Sequence, residues 1–227
     1  MKLLGVETSS LSFSVAASDG PEVVDFRLSN GQGQPALLLT DLMRAVLEKA
    51  GWSLEQLDGF AVSIGPGSFT GLRIGIMTVK TLAWAEGKPV LPVSSLEVLA
   101  QNGDGLKRPV HSFVDAKRGN VYHASFSPVE DGRLRRELPD EVLTPQEAVS
   151  RLPSEALLIG DGLKTYAERV QASLPPGVEC APPDFWIPRA DHLCRIAAAR
   201  WPEGKVDDAH KLVPQYLYSQ EGGVIGK

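Results

Sequence analysis

The chain has 227 residues, 43% hydrophobic and 22% charged, with a formal net charge of −5. That length suits one large domain or two small ones with a substantial core, and the acidic balance argues against a stand-alone nucleic-acid binder, which normally presents a basic face. The cysteines, Cys180 and Cys194, suit neither a disulfide framework nor a zinc pattern and are read as two buried thiols; with no signal-like or membrane-length apolar run, a cytoplasmic location and no membrane partner are expected.

In chain order, "KLLGVE" and "SFSVAAS" read as strands joined by a Thr-Ser-Ser turn, and "EVVDFRL" as a third strand. The loop "SNGQGQP" leads to a helix over 36–50, stopped by Gly51 at the C′ position. "GFAVSIG" is a strand of the fully buried kind. It enters the turn "GPGSFTG" and a second helix that ends near Gly87-Lys88-Pro89. "PVLPVSSLEVLAQN" gives a short strand and a helix capped by Ser94 or Ser95, with Glu97 nearby. After "GDGLKRP" the pattern restarts with strands "PVHSFVDA", "GNVYHASFS" and "GRLRREL". Then come a helix "TPQEAVSRL" with Thr144 as N-cap, a buried strand "ALLIG", and helices "LKTYAERVQAS" and "ADHLCRIAAARW".

The restart reads as a duplication. "VETSSLSFSVAAS" parallels "VDAKRGNVYHASFS", each a strand ending in an acid, Glu7 or Asp115, followed by a turn and a second strand. "SIGPG" parallels "LIGDG", each a buried strand ending in Gly-x-Gly before a helix. The expected fold is α/β with two βββαβα lobes, 1–104 and 105–227, the last segment packing back on the first lobe.

Two helices carry excess apolar surface. Over 36–50, Leu38, Leu39, Leu42, Met43, Ala45, Val46, Leu47 and Ala50 span roughly 200° of the wheel, with Leu37 among the polar residues Asp41, Arg44 and Glu48. In the next helix Leu72, Ile76, Val79, Leu82 and Ala83 form one face. Ile74, Met77, Trp84 and Ala85 lie nearly opposite, among Thr70 and Thr81, while Arg73 and Lys80 share a polar ridge. A helix apolar all round is buried all round. Either both helices lie within this chain's own core, or one face meets the sheet and the other a second chain. Gly71, Gly75 and Thr78 are small enough for another helix to approach.

"GPGSFTG" is neither a Walker loop nor a Rossmann fingerprint, and Pro66 removes one N–H donor. Other phosphate candidates are Thr8, Ser9 and Ser10 in the first turn, and Asp115, Gly160 and Gly162 in the second half. In a kinase-like arrangement the acids would hold Mg²⁺ through water, but Glu7 is one methylene longer than Asp and its turn lacks glycine. His111, His123, His192 and His210 include no i, i+4 pair, and no Gly-x-Ser-x-Gly elbow appears. No metal site and no catalytic residue is assigned.

"GPGSFTGLRIGI" followed by "PVSSLEVLAQ", with "VETSSLSFSVAA" at the start and "VDAKRGNVY" in the middle, resembles the bacterial TsaB (YeaZ) family over nearly the whole chain. The tail "LVPQYLYSQ" is similar to that family's P-x-Y-L-R, with Tyr218 in place of Arg. The resemblance implies an actin-like, Hsp70-ATPase-like (ASKHA) fold. It also implies a non-catalytic subunit for tRNA N6-threonylcarbamoyladenosine (t6A37) modification, which pairs with the catalytic, metal-bearing paralogue TsaD and the ATPase TsaE. The chain would form a homodimer when alone and meet tRNA indirectly, through the complex. It implies that the first two helices make the contact, which brings Leu37, Asp41, Leu42, Ala45, Thr70, Arg73, Ile74, Met77, Thr78, Thr81 and Trp84 to the partner interface. The paralogue's His-x-x-x-His is missing from "GQPALLLTDLM", where Gln34 stands at the helix entry. No cofactor is required by this chain, and ATP or ADP would bind at low affinity or only in the complex. The alternative is a nucleotide-dependent phosphotransferase of the sugar-kinase type.

Overall fold

The computed structural model describes residues 1–29, 34–129, 134–203 and 209–218. The described residues divide into two units: Met1–Val98 with Arg189–Gln215, and Leu99–Pro188 with 216–218.

In the first unit, β1 (Lys2–Glu7), β2 (Ser14–Asp19) and β3 (Glu22–Leu28) form an antiparallel meander. β4 (Gly59–Gly65) and β5 (Val90–Ser94) add in parallel, giving the order β3-β2-β1-β4-β5. β1 and β4 are continuous apolar runs because both faces of the sheet are covered. On one face α1 (Pro35–Ala50) and α2 (Phe69–Glu86) bury Leu39, Met43, Val46, Leu72, Ile76 and Val79 against Leu4, Val6 and Val15. On the other, α7 (Ala190–Arg200) sets Leu193, Ile196 and Ala197 against Leu3, Ala61 and Leu91. α1 stops at Gly51, whose φ of 69° makes the left-handed C-cap that its glycine predicts.

The second unit repeats the plan. β6 (Val110–Lys117), β7 (Asn120–Pro128) and β8 (Leu134–Leu143) form the meander. β9 (Leu157–Ile159) and β10 (Glu179–Cys180) add in parallel, in the order β10-β9-β6-β7-β8. Read from the other edge, that is the first unit's order. α4 (Pro145–Ser150), α5 (Gly162–Thr165) and α6 (Ala167–Gln171) supply Ala148, Val149, Leu163 and Val170 to a core with Phe113, Val121 and Leu158. α3 (Ser95–Ala100) links the two units in sequence. The duplicated βββαβα order expected from the sequence is therefore the observed architecture.

Several local expectations are corrected. The helix expected over "LKTYAERVQAS" is two short helices broken at Tyr166, whose φ of −118° leaves the helical region. The third strand of the second unit runs on to Leu143, and β10 was not anticipated. Ser95 does not flank α3 as a cap; it is the helix's first residue, and its hydroxyl donates to the Pro66 carbonyl. Glu97 instead pairs with Arg200 of α7. Cys194 is buried, but Cys180 is exposed on the short β10. Within the loop before α1, residues 30–33 lie outside the described residues; so do 132–133 of the expected third strand and 219–220 of the tail motif.

Candidate partner interface and the glycine-rich turn

The turn between β4 and α2 is shaped around the chain's own first turn. Gly65 has a φ of 113° and precedes a cis Pro66. The Ser68 N–H donates to the Ser9 carbonyl at 2.7 Å, and the Ser68 hydroxyl caps α2 by accepting from the Gly71 N–H at 3.2 Å. An added Cβ at Gly71 would lie 2.1 Å from the Thr8 carbonyl oxygen, and one at Gly75 would lie 2.1 Å from Thr8 Oγ1. These glycines therefore seat the first turn, not a second helix, and this corrects the sequence reading of that pair. Glycine at this spacing marks close approach of backbone; the sequence could not say whose backbone.

The consequence is that Thr8 is fully enclosed and Ser9 nearly so, while Ser10 is half-buried with its hydroxyl bonded to the Ser12 carbonyl. Glu7 is also enclosed: Oε1 accepts the Ser9 N–H at 2.6 Å, and Oε2 accepts the Ser63 hydroxyl. Burial pushes its carboxyl above the usual carboxylate range, against the lowering effect of those hydrogen bonds.

In the second unit Asp115 is similarly engaged. Its oxygens accept from the Lys117 amide at 2.8 Å, the Lys117 ammonium at 2.6 Å, the Tyr166 hydroxyl at 3.1 Å and the Thr165 hydroxyl at 3.3 Å. Burial would raise this carboxyl, but the Lys117 contacts and the Tyr166 hydroxyl hold it below the usual range. Gly160, with a φ of 134°, and Gly162 lie against Phe113; an added Cβ at Gly160 would sit 2.4 Å from the Phe113 carbonyl oxygen. Among the described residues no group of three or more His, Cys, Asp or Glu could hold a metal ion.

The other predicted set lies on α1 and α2, and it divides by exposure. Leu42, Ala45, Ile74 and Thr78 are half-buried, Leu42 and Ile74 against the first unit's core. Asp41, Thr70, Arg73 and Thr81 are exposed. So are three large apolar side chains: Leu37 is 62% exposed, Met77 58% and Trp84 66%. Along α2 the exposed residues recur at helical spacing, from Phe69 and Thr70 through Arg73, Met77 and Thr81 to Trp84. That stripe is about 22 Å long at 1.5 Å per residue.

Phe69 was missed by the sequence reading. It is 54% exposed, with the Arg73 guanidinium 3.8 Å from its ring centroid. Its place four residues before Arg73 on the exposed side was the available signal. Lys80, grouped with Arg73 on the wheel, instead donates to the His210 and Leu212 carbonyls and ties the tail to α2.

The repeated sheet order and the glycine turns define an α/β protein of the actin-like class. A family model described as TsaD, tRNA N6-adenosine threonylcarbamoyltransferase, matches residues 36–185. The tRNA threonylcarbamoyladenosine biosynthesis protein TsaB of Escherichia coli K12 is 30% identical over 224 residues, covering 96% of this chain and 94% of its own. A solved structure, YeaZ from Pseudomonas aeruginosa, is 29% identical with a TM-score of 0.83, covering 95% of this chain and 99% of its own. A tRNA N6-adenosine threonylcarbamoyltransferase of Methylorubrum extorquens PA1 is 43% identical over 75 residues, 32% of this chain and 22% of its own. This chain belongs to the TsaD-like family and, within it, to the TsaB (YeaZ) family.

Proposed function

We propose that this chain is a non-catalytic scaffold subunit in the formation of N6-threonylcarbamoyladenosine on tRNA. In this reading it binds and activates its catalytic paralogue, the threonylcarbamoyltransferase TsaD, through the outer face of α1 and α2. The observation that carries the reading is the exposed stripe of Phe69, Met77 and Trp84 on α2, with Leu37 at the start of α1. Aromatic, Met and Arg side chains are enriched at interfaces, and a stable interface buries about 1,600 Å² in total. When the paralogue is absent a second copy covers the same face, giving a homodimer; TsaE and tRNA join through the complex.

A non-catalytic role is supported by the enclosure of Glu7 within the first unit and by the engagement of both Asp115 oxygens within the second. ATP or ADP is then not required by this chain. A cytoplasmic location goes with this role; among the described residues no helix is long and apolar enough to cross a membrane.

Met77→Asp tests the reading. Met77 is exposed, so the variant folds with unchanged circular dichroism and melting temperature. In the complex the new carboxylate is desolvated without a partner, so binding to the paralogue weakens at least about 100-fold, and tRNA modification in a reconstituted mixture falls with it. A folded variant that binds and supports modification as the natural chain does would remove Met77 from the interface. An unfolded variant would assign that face to the chain's own core.

A further inference from the structure

His111 on β6 and His123 on β7 are buried diagonal neighbours: Phe113 faces His123 and His111 faces Ser125 across the antiparallel pair. His111 Nδ1 and His123 Nε2 are 3.1 Å apart, so one donates and the other accepts. His123 Nδ1 is buried and has no partner among the described residues.

The two proton arrangements differ in what they leave unsatisfied. If His111 Nδ1 donates, the His123 proton must sit on Nδ1, and a buried N–H points at nothing. If His123 Nε2 donates, Nδ1 is only a bare lone pair. An orphaned buried N–H is the rarer case, because it forfeits a strong hydrogen bond to water. We infer that neutral His123 donates through Nε2 to His111 Nδ1, and that the pair is an acid-sensitive latch of the second unit. A proton arriving at His123 Nδ1 puts a charged donor into a dry core and releases the β6–β7 region before the first unit loosens.

Apolar side chains pack around the pair, and the carboxylate across from His123 is already bound to a guanidinium. α4 turns Ala148 and Val149 into this core, α5 turns in Leu163, α6 turns in Val170, and β9 sets Leu158 opposite His111. Across from His123 on β8 stands Glu141, which is bound to the Arg151 guanidinium at the end of α4. Burial holds His111 at about 4. Burial, together with the His111 and Arg151 charges, holds His123 at about 3. Both values lie below the ordinary 6.5, so the opened unit binds more protons than the closed one. The stabilisation is complete above pH 6.5 and is lost as pH falls toward the folded-state values.

Hydrogen exchange on the full chain at several pH values tests this. Protection factors of β6 and β7 amides should fall about tenfold or more between pH 6 and pH 5, and more steeply than those of β1 and β4, whose unit holds the imidazole of His192, lowered to about 4 by burial. The double variant His111→Leu/His123→Leu should abolish that difference. If the variant fails to fold, imidazole ¹⁵N shifts of the natural chain decide. The expected result is an Nε2–H tautomer at His123 that does not titrate near 6.5. An Nδ1–H tautomer, an ordinary titration, or equal loss of protection in both units would overturn the proposal.

Discussion

At Gly71 two local forces oppose each other. Alanine would gain about 1 kcal/mol of helix propensity over glycine at an interior position. Its Cβ, however, would lie 2.1 Å from the Thr8 carbonyl oxygen, which belongs to backbone held by β1 and β2 on either side. Overpacking of this kind costs about 1–3 kcal/mol. Gly71→Ala is therefore expected to lower the denaturant midpoint despite the better helix former. A raised midpoint would show that the first turn yields freely. The glycines of "GPGSFTGLRIG" were visible in the sequence as places where something comes close. What comes close was not, because Thr8 and Ser9 meet them only once β1 and β4 pair. The same limit applied to Glu7, whose enclosure depends on Ser63 from β4.

Elements whose ends are fixed by their own residues were legible; elements shaped by distant partners were not. α4 begins at Thr144 with a capping box, Thr144 and Glu147 each accepting the other's backbone N–H, all within one turn of sequence. α1 ends at its glycine for an equally local reason. The break between α5 and α6 has a distant cause. The Tyr166 hydroxyl lies 3.1 Å from both Asp115 Oδ1 and the Asn120 carbonyl oxygen, so the side chain is drawn to the β6–β7 turn and the helix yields there. Removing the hydroxyl in Tyr166→Phe leaves whichever of these two acceptors takes its single proton short of a donor. The expected loss is about 1–2 kcal/mol in chemical denaturation. An unchanged free energy of unfolding would mean that packing of the ring alone sets the break. On α2 the wheel separated the buried from the exposed side in outline. It could not rank Met77 and Trp84 as open against Ile74 as half-covered, since Ile74 is covered by core residues contributed from other elements.

For the whole molecule, the duplicated strand order was readable because each repeat carries the same landmarks, an acid late in its first strand and a Gly-x-Gly at its fourth. The assignment of Arg189–Gln215 to the first unit follows from contacts made at long sequence separation. α7 lies on β1 and β2, and the Gln215 N–H donates to the Ile64 carbonyl at 2.7 Å. What the fold leaves over is the outer side of α1 and α2, with its large apolar side chains in water. The central claim is that another polypeptide covers that side, and the mass of the particle in solution addresses it most directly. Light scattering at micromolar concentration should give about twice the 24.4 kDa of one chain when it is alone. With the threonylcarbamoyltransferase added, that species should give way to a complex containing one of each. A chain that remains at 24.4 kDa in both samples would contradict the account.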